Sequence, residues 1–189
     1  LAQVHEDIVA PTLAALAEDD SEFRGILYAG IMLTEGGPRV VEYNCRFGDP
    51  ETQVVLPLLE SSLLEPMLEI AHGGRLGGST LEWSAGAALT TVLASQGYPG
   101  PYPKGDPIHI PEWVTNDPDV LLFHAGTTSG SDGLETSGGR VIAATGLGAT
   151  LSQAASKSRE AAAAIEFPGK QFRNDIGWRE FERAEQDPR

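Results

Sequence analysis

Basic side chains are scarce in this 189-residue chain: 13 Lys and Arg stand against 27 Asp and Glu, a formal net charge of −14. That balance argues against a nucleic-acid binder, which needs a basic footprint on the phosphates, and against a polybasic membrane anchor. Anionic small molecules stay open where a metal ion or a local Arg offsets the charge; otherwise the acidity is a solubilising surface. Cysteine is scarcer still. Cys45 stands alone, which excludes an internal disulfide and fits a reducing cytoplasm. No stretch approaches the ~20 apolar residues that span a bilayer. The opening "LAQVHEDIVAPTLAALAEDD" lacks a basic n-region and an unbroken apolar run, so it does not read as a signal peptide. It also lacks an initiator Met and starts as if inside a helix, so the chain is expected to be a piece of a longer protein. There is no "GxxxxGK" P-loop, and the glycine clusters at 73–78 and 126–133 match no phosphate fingerprint.

What is present is an ordinary globular composition, 41% hydrophobic and 21% charged, long enough for one large domain or two small ones. Val4, Ile8, Leu13 and Leu16 recur at near-helical spacing over 2–19, with Pro11 interrupting. "FRGILYAGIML" (23–33) and "RVVEYNCRF" (39–47) read as strands, and the Gly/Pro-rich "TEGGP" (34–38) joins them into a β-hairpin. After Pro50 a helical face (Val54, Val55, Leu58, Leu59, Leu63, Met67, Leu68) runs to about Ala71, with Pro57 and Pro66 expected to split or bend it. "HGGRLGGST" (72–80) is the best linker. Beyond it, strands are expected at 87–95, 107–110, 120–126 and 139–146. An Ala-rich helix should follow at 149–167 and a short one within 172–186. The expected layout is α/β (α+β): one α/β domain ends over 1–72, a linker covers 73–80, and a small α+β domain fills 81–189.

The chemistry concentrates in "EYNCRFGDPE" (42–51). Side chains alternate faces along a strand. Val40, Glu42, Asn44 and Arg46 therefore share one face, and Val41, Tyr43, Cys45 and Phe47 make a plausible core face. The polar row sets a carboxylate, an amide oxygen and a guanidinium at steps of about 7 Å. Glu and Asn oxygens are hard ligands suited to Mg²⁺, which takes one or two protein oxygens and leaves the rest to phosphates and water. A nearby Arg meets a phosphate or carboxylate with its planar fork. Alternation alone fits a solvated polar face of an edge strand equally well. "GDPE" alone is a turn signal.

The stretches "EYN" (42–44) and "RFGDPETQ" (46–53) together resemble the signature of glycinamide ribonucleotide synthetase, also called phosphoribosylamine–glycine ligase, of the ATP-grasp superfamily. The resemblance continues in order through "GILYAGIML" (25–33), "GYPGPYPKGDPI" (97–108), "FHAGT" (123–127), "GGRVIAATGLG" (138–148) and "FRNDIGWR" (172–179). It implies the carboxy-terminal piece of an ATP-grasp domain, built on antiparallel strands, plus a small terminal domain. The implied reaction joins glycine and 5-phosphoribosylamine at the expense of ATP through an acyl phosphate, in purine synthesis. By position, the resemblance implies Glu42 and Asn44 as ligands of Mg (or Mn) and Arg46 as the group that steadies the transferred phosphoryl. It implies Asp49 and Glu51 as holders of the substrate amines. The family's amino-terminal half, with its substrate domain, lid and adenine pocket, has no counterpart in this sequence. The missing part is expected in the same protein or in trans, and the isolated chain is expected to be inactive.

Other candidates carry less. His124 reads as a satisfied structural histidine, Cys45 as a packing residue, and Arg140 and Lys104 as surface cations that could reach an anion. His5, His72 and His109 lie far apart without zinc-ligand spacing. Trp83, Trp113 and Trp178 are expected in core or interdomain packing. Two rivals remain: another ATP-grasp carboxylate–amine ligase, and a non-catalytic binding module that needs a partner chain. The expected partners are small-molecule substrates, with no nucleic acid and no membrane.

Overall fold

The computed structural model describes residues 1–74, 76 and 80–186. Half of the expected linker 73–80, residues 75 and 77–79, lies outside that set. The chain divides into two compact units: Leu1–Asp49 with Ser61–Leu81, and Pro50–Glu60 with Glu82 onward.

In the first unit a helical run passes from α1 (Ala2–Val4) through one π turn (His5–Val9) into α2 (Ala10–Glu18). The wide turn has a local cause. Pro11 brings no N–H to the helix, and Ala10 N–H reaches back five residues to His5 O, so the register shifts just before the proline. Next comes the hairpin, β1 (Tyr28–Thr34) and β2 (Gly37–Asn44), paired antiparallel. Its turn is tighter than the sequence suggests: Thr34 pairs with Gly37, whose φ of +94° suits glycine. Strand β2 also stops at Asn44, three residues short of the expected Phe47. Cys45 and Arg46 form a bend before the turn at 49–51. Helix α4 (Leu64–Ala71) completes the unit, and Arg24 Nη1 donates to Gly73 O at 2.7 Å.

The expected core face of β2 is a correction. Val41 is 65% exposed and Cys45 is exposed, because β1 and β2 form a two-stranded sheet of their own. The hydroxyl of Tyr43 meets Thr12 Oγ1 on α2 at 2.7 Å.

In the second unit the helix expected through Ala71 breaks early. Helix α3 (Thr52–Val55) tightens to a 3₁₀ turn (Leu56–Leu58), and Leu59 swings to an extended conformation (φ −80°, ψ 119°). There it bridges Trp83, with Glu60 N–H donating to Glu82 O and Ser84 N–H to Leu58 O. A ladder has replaced the helix that Pro57 interrupts. The central sheet has the order β3 (Ala87–Ala94), β7 (Arg140–Gly148), β4 (Val120–His124), with both pairs antiparallel. All strand pairs of the named strands are antiparallel, which makes the fold α+β.

Helix α6 (Leu151–Ala164) covers one face of that sheet. It starts at Thr150, whose side chain accepts from Gln153 N–H. Contact is close because the facing residues are small: a Cβ on Gly146 would lie 2.2 Å from Ala154 O. Thr91 and Ser158 hydroxyls meet at 2.8 Å, and Ser158 Oγ donates to Ala144 O at 2.8 Å, so these buried polar groups are satisfied. Leu93, Val114, Val141, Ile142 and Ile165 form the fully buried core around them. Short helix α5 (Glu112–Asn116), the hairpin β5 (Thr127–Gly130) and β6 (Gly133–Thr136), and α7 (Trp178–Gln186) complete the unit. The strand expected at 107–110 reduces to isolated bridges, Pro107 with Glu135 and His109 with Glu166. Trp83, Trp113 and Trp178, expected in packing, are each more than 40% exposed. Among the described residues no helix is long and apolar enough to cross a membrane.

Candidate functional site

Glu42 and Asn44 lie two residues apart on β2, opposite Gly30 and Tyr28 of β1. Their side chains converge: Asn44 Nδ2 donates to Glu42 Oε1 at 3.3 Å. Gly30 provides the room, since a Cβ there would come within 3.2 Å of Glu42 Cγ. A bulge near Gly30/Ile31 makes Val41 an extra residue on β2, so the alternating row starts at Glu42 rather than Val40. The amide contact points the nitrogen of Asn44 at one carboxylate oxygen. The Asn44 amide oxygen and the second Glu42 oxygen are the donors a cation would meet.

Arg46 falls outside the row. It sits on the bend after β2, exposed, with Nη1 donating to Phe47 O at 2.8 Å. Asp49 follows on the turn that ends the first unit, exposed. Glu51 belongs to the second unit, at the N-cap of α3. The structure thus brings Glu42 and Asn44 together and sets Arg46, Asp49 and Glu51 on the chain that leads out of the strand.

That donor set suits a hard divalent ion. Two protein oxygens from a carboxylate and an amide match a Mg²⁺ or Mn²⁺ that shares its coordination with phosphates and water. Among the described residues no cluster of three or more His, Cys, Asp or Glu could hold a metal by itself, so the pair would need further ligands from water or a bound molecule.

In the second unit, the sheet face turned away from α6 borders a cavity of about 750 Å³. Ala88, Thr90, Val92 and Ala94, alternate residues of β3, line its floor, and Val54, Phe172 and Ile176 add apolar walls. Its charged lining is Glu51, Arg140 and Arg173. Arg173 lies in the "FRNDIGWR" stretch that shares the family resemblance, but the resemblance assigns it no role. Its Nε and Nη2 hold both oxygens of Asp175 at 2.9 and 2.7 Å. That pairing keeps the Asp175 carboxyl below its usual range and lifts the guanidinium of Arg173. His124 is satisfied by Thr127 Oγ1 at 3.1 Å, in line with a structural role. Lys104 lies 5.9 Å over the Tyr102 ring.

Comparison with known proteins adds independent findings. Residues 88–179 match the family model described as phosphoribosylglycinamide synthetase, C domain, and residues 1–52 match that of the phosphoribosylglycinamide synthetase ATP-grasp (A) domain. A phosphoribosylamine–glycine ligase from Chlorobaculum tepidum is 46% identical over 175 residues, 93% of this chain and 41% of the relative. The crystal structure of a phosphoribosylamine–glycine ligase from Thermotoga maritima superposes with a TM-score of 0.78 at 37% identity, covering 90% of this chain and 41% of that one. At the level of fold alone, the biotin carboxylase domain of Hydrogenobacter thermophilus 2-oxoglutarate carboxylase superposes with a TM-score of 0.56 at 17% identity, over 85% of this chain and 36% of that one. The chain spans about two-fifths of the length of the ligases it matches.

Proposed function

Because the chain belongs to the phosphoribosylglycinamide synthetase family, we propose that it is the carboxy-terminal part of a phosphoribosylamine–glycine ligase. Residues 1–72 would be the end of its ATP-grasp domain, 73–80 a linker and 81–189 its terminal domain. In the proposed reaction the glycine carboxylate attacks the γ-phosphorus of ATP and ADP leaves. The amine of 5-phosphoribosylamine then attacks the glycyl phosphate, releasing phosphate and forming an amide. The protein would work in a reducing compartment such as the cytoplasm, which one cysteine in 189 residues suits.

The observation that carries the reading is the Glu42–Asn44 pair, two hard oxygen donors brought together on one face of β2 within the stretch that carries the signature. These two residues would hold Mg²⁺ or Mn²⁺. Bound there with ATP, the ion would neutralise phosphate charge. Arg46 would steady the three oxygens of the phosphoryl in flight with its guanidinium, after giving up its contact with Phe47 O. Asp49 and Glu51 would hold the substrate amines by charge-assisted hydrogen bonds and orient them for attack.

Fusing the chain to the amino-terminal region of the Chlorobaculum tepidum ligase tests the reading. ADP release should depend on both glycine and 5-phosphoribosylamine. A chimera that binds ATP but needs a different acid or amine would favour another ATP-grasp ligase. The 189-residue chain alone should show no turnover, and robust turnover would overturn the fragment reading.

A further inference from the structure

We propose that Tyr43 is a positioning residue for the Glu42–Asn44 pair: its hydroxyl ties the reverse face of β2 to α2, and that tie holds the two cation ligands converged. The proposal rests on the metal role that the ligase reading gives to the pair, and it names a residue which that reading leaves without a role.

Tyr43 lies between the two ligands in sequence and on the other side of the strand in space. Glu42, Tyr43 and Asn44 pair without a break with Gly30, Ala29 and Tyr28 of β1, so strict alternation applies across these three residues. Glu42 and Asn44 therefore share one face, and Tyr43 projects from the opposite one. The hairpin alone sets the geometry of the pair weakly. β1 and β2 form a two-stranded sheet, and two-stranded ribbons twist more than larger sheets and are marginal on their own. Twist turns side chains two residues apart relative to one another, so it decides whether the Glu42 carboxylate and the Asn44 amide meet, as they do at 3.3 Å.

The tie is a directed chain of hydrogen bonds. Thr12 Oγ1 and Tyr43 Oη lie 2.7 Å apart, and Thr12 Oγ1 donates to Ile8 O at 2.7 Å. A carbonyl oxygen only accepts, so the single hydroxyl proton of Thr12 goes to Ile8 O, and the Tyr43 hydroxyl is the donor to Thr12. Each bond polarises the next, which strengthens such a chain. It ends on Ile8, the buried residue of the helical run, at its π turn. Strand β2 is thereby keyed to the firmest point behind it. Apolar packing competes little on this face. Tyr43 is 38% exposed and Val41, two residues before it, 65%, and a side chain left that open gains only part of the stabilisation of a buried one. The hydroxyl, rather than the ring, carries the positioning.

Affinity of the chimera for a non-hydrolysable ATP analogue, measured by calorimetry with Mg²⁺, with Ca²⁺ and with no metal, provides the test. Mg²⁺ demands near-ideal octahedral geometry, whereas Ca²⁺ accepts a looser one. Losing the tie should therefore penalise the Mg²⁺ complex most. Tyr43→Phe is expected to weaken that complex about tenfold, the size of effect that follows when groups orienting metal ligands are removed. The Ca²⁺ complex should weaken by less, and the metal-free analogue not at all. Thr12→Val, which removes the acceptor from the other side, should reproduce the pattern and keeps the test decisive if Tyr43→Phe fails to fold. Thr12→Ser, which retains the hydroxyl, should bind as the unmodified chimera does. Combining Thr12→Val with Tyr43→Phe should bind no more weakly than Thr12→Val alone. Unchanged Mg²⁺ affinity in Tyr43→Phe overturns the proposal, as does an additive loss in the double variant. An equal loss in all three titrations overturns it too, because that is what partial unfolding produces. A Glu42→Gln chimera with unaltered Mg²⁺ affinity would overturn the metal site and the proposal together. The titrations contain no glycine or amine, so their failure would leave the ligase reading standing, to be decided by turnover of the chimera.

Discussion

At the scale of single residues, a 3.3 Å contact between Asn44 and Glu42 decides how β2 is read. A solvated edge strand would splay two polar side chains into water; here they face one another, over a glycine that leaves them room. Glu42→Gln keeps the shape and removes the charge. In the chimera it should lower ATP-dependent turnover by about 100-fold or more, with an unchanged melting temperature. Wild-type turnover at limiting Mg²⁺ would remove Glu42 as a ligand. A second residue-scale prediction concerns pH. Lys157 Nζ donates to Asp117 Oδ2 at 2.6 Å, which holds the Asp117 carboxyl below its usual range and lifts the Lys157 ammonium above its own. A depressed carboxyl contributes stability above the usual carboxylate range and loses it as pH falls through the folded value. Asp117→Asn should therefore lower the melting temperature by a constant amount from about pH 5 to pH 9, and the gap should close below about pH 4. A gap that persists in acid would assign the effect to packing. Glu42 and Asn44 were legible from alternation, because nothing interrupts the strand between them. Arg46 was misplaced in the same row because the chain bends after Asn44, where turn residues outweigh strand propensity.

At the scale of elements, small side chains set how closely pieces approach. Gly146 and Gly148 lie against the start of α6, and a Cβ on Gly146 would meet Ala154 O and Ser158 N, backbone atoms that cannot swing away. Gly146→Ala should cost about 1–3 kcal/mol, as overpacking does, seen as a lower urea midpoint at an unchanged slope. An unaltered midpoint would mean that α6 slides freely on the sheet. The strands flanking this contact were legible because β3 and β7 are apolar runs bounded by Gly and Pro. Other elements left weaker marks. The β5–β6 hairpin is written "TTSGSDGLET", polar enough to read as loop. The helix over 50–71 kept its apolar period although Leu59 leaves it to pair with Trp83, since a tertiary ladder overrides a local pattern. Register breaks at Val41 and Val141 depend on pairing partners, which periodicity within one strand does not contain.

At the scale of the whole molecule, burial is distributed very unevenly. Ile8 and Pro66 are the buried apolar side chains drawn from Leu1–Asp49 or Ser61–Leu81 among the described residues; the rest of the buried hydrophobic core comes from 89–167. The first unit meanwhile exposes Met32, Leu33, Val41, Leu64, Met67 and Leu68. Each fully buried Leu, Val, Ile or Met is worth about 1.5–3 kcal/mol, and an isolated two-stranded hairpin is marginal in water. The two units should therefore differ in local stability, and a single unfolding free energy should not describe the chain. Amide hydrogen exchange makes the difference measurable. Backbone amides of β1 and β2 should exchange at least about 100-fold faster than those of β3 and β7, the difference that ~3 kcal/mol of local opening free energy produces. Fusion to the amino-terminal region of a relative, which supplies the remainder of the proposed ATP-grasp domain, should slow exchange in β1 and β2 and leave β7 unchanged. Uniform protection across both units of the unfused chain would show that the exposed apolar residues of the hairpin are already stabilised, and would remove the structural reason for expecting a missing half.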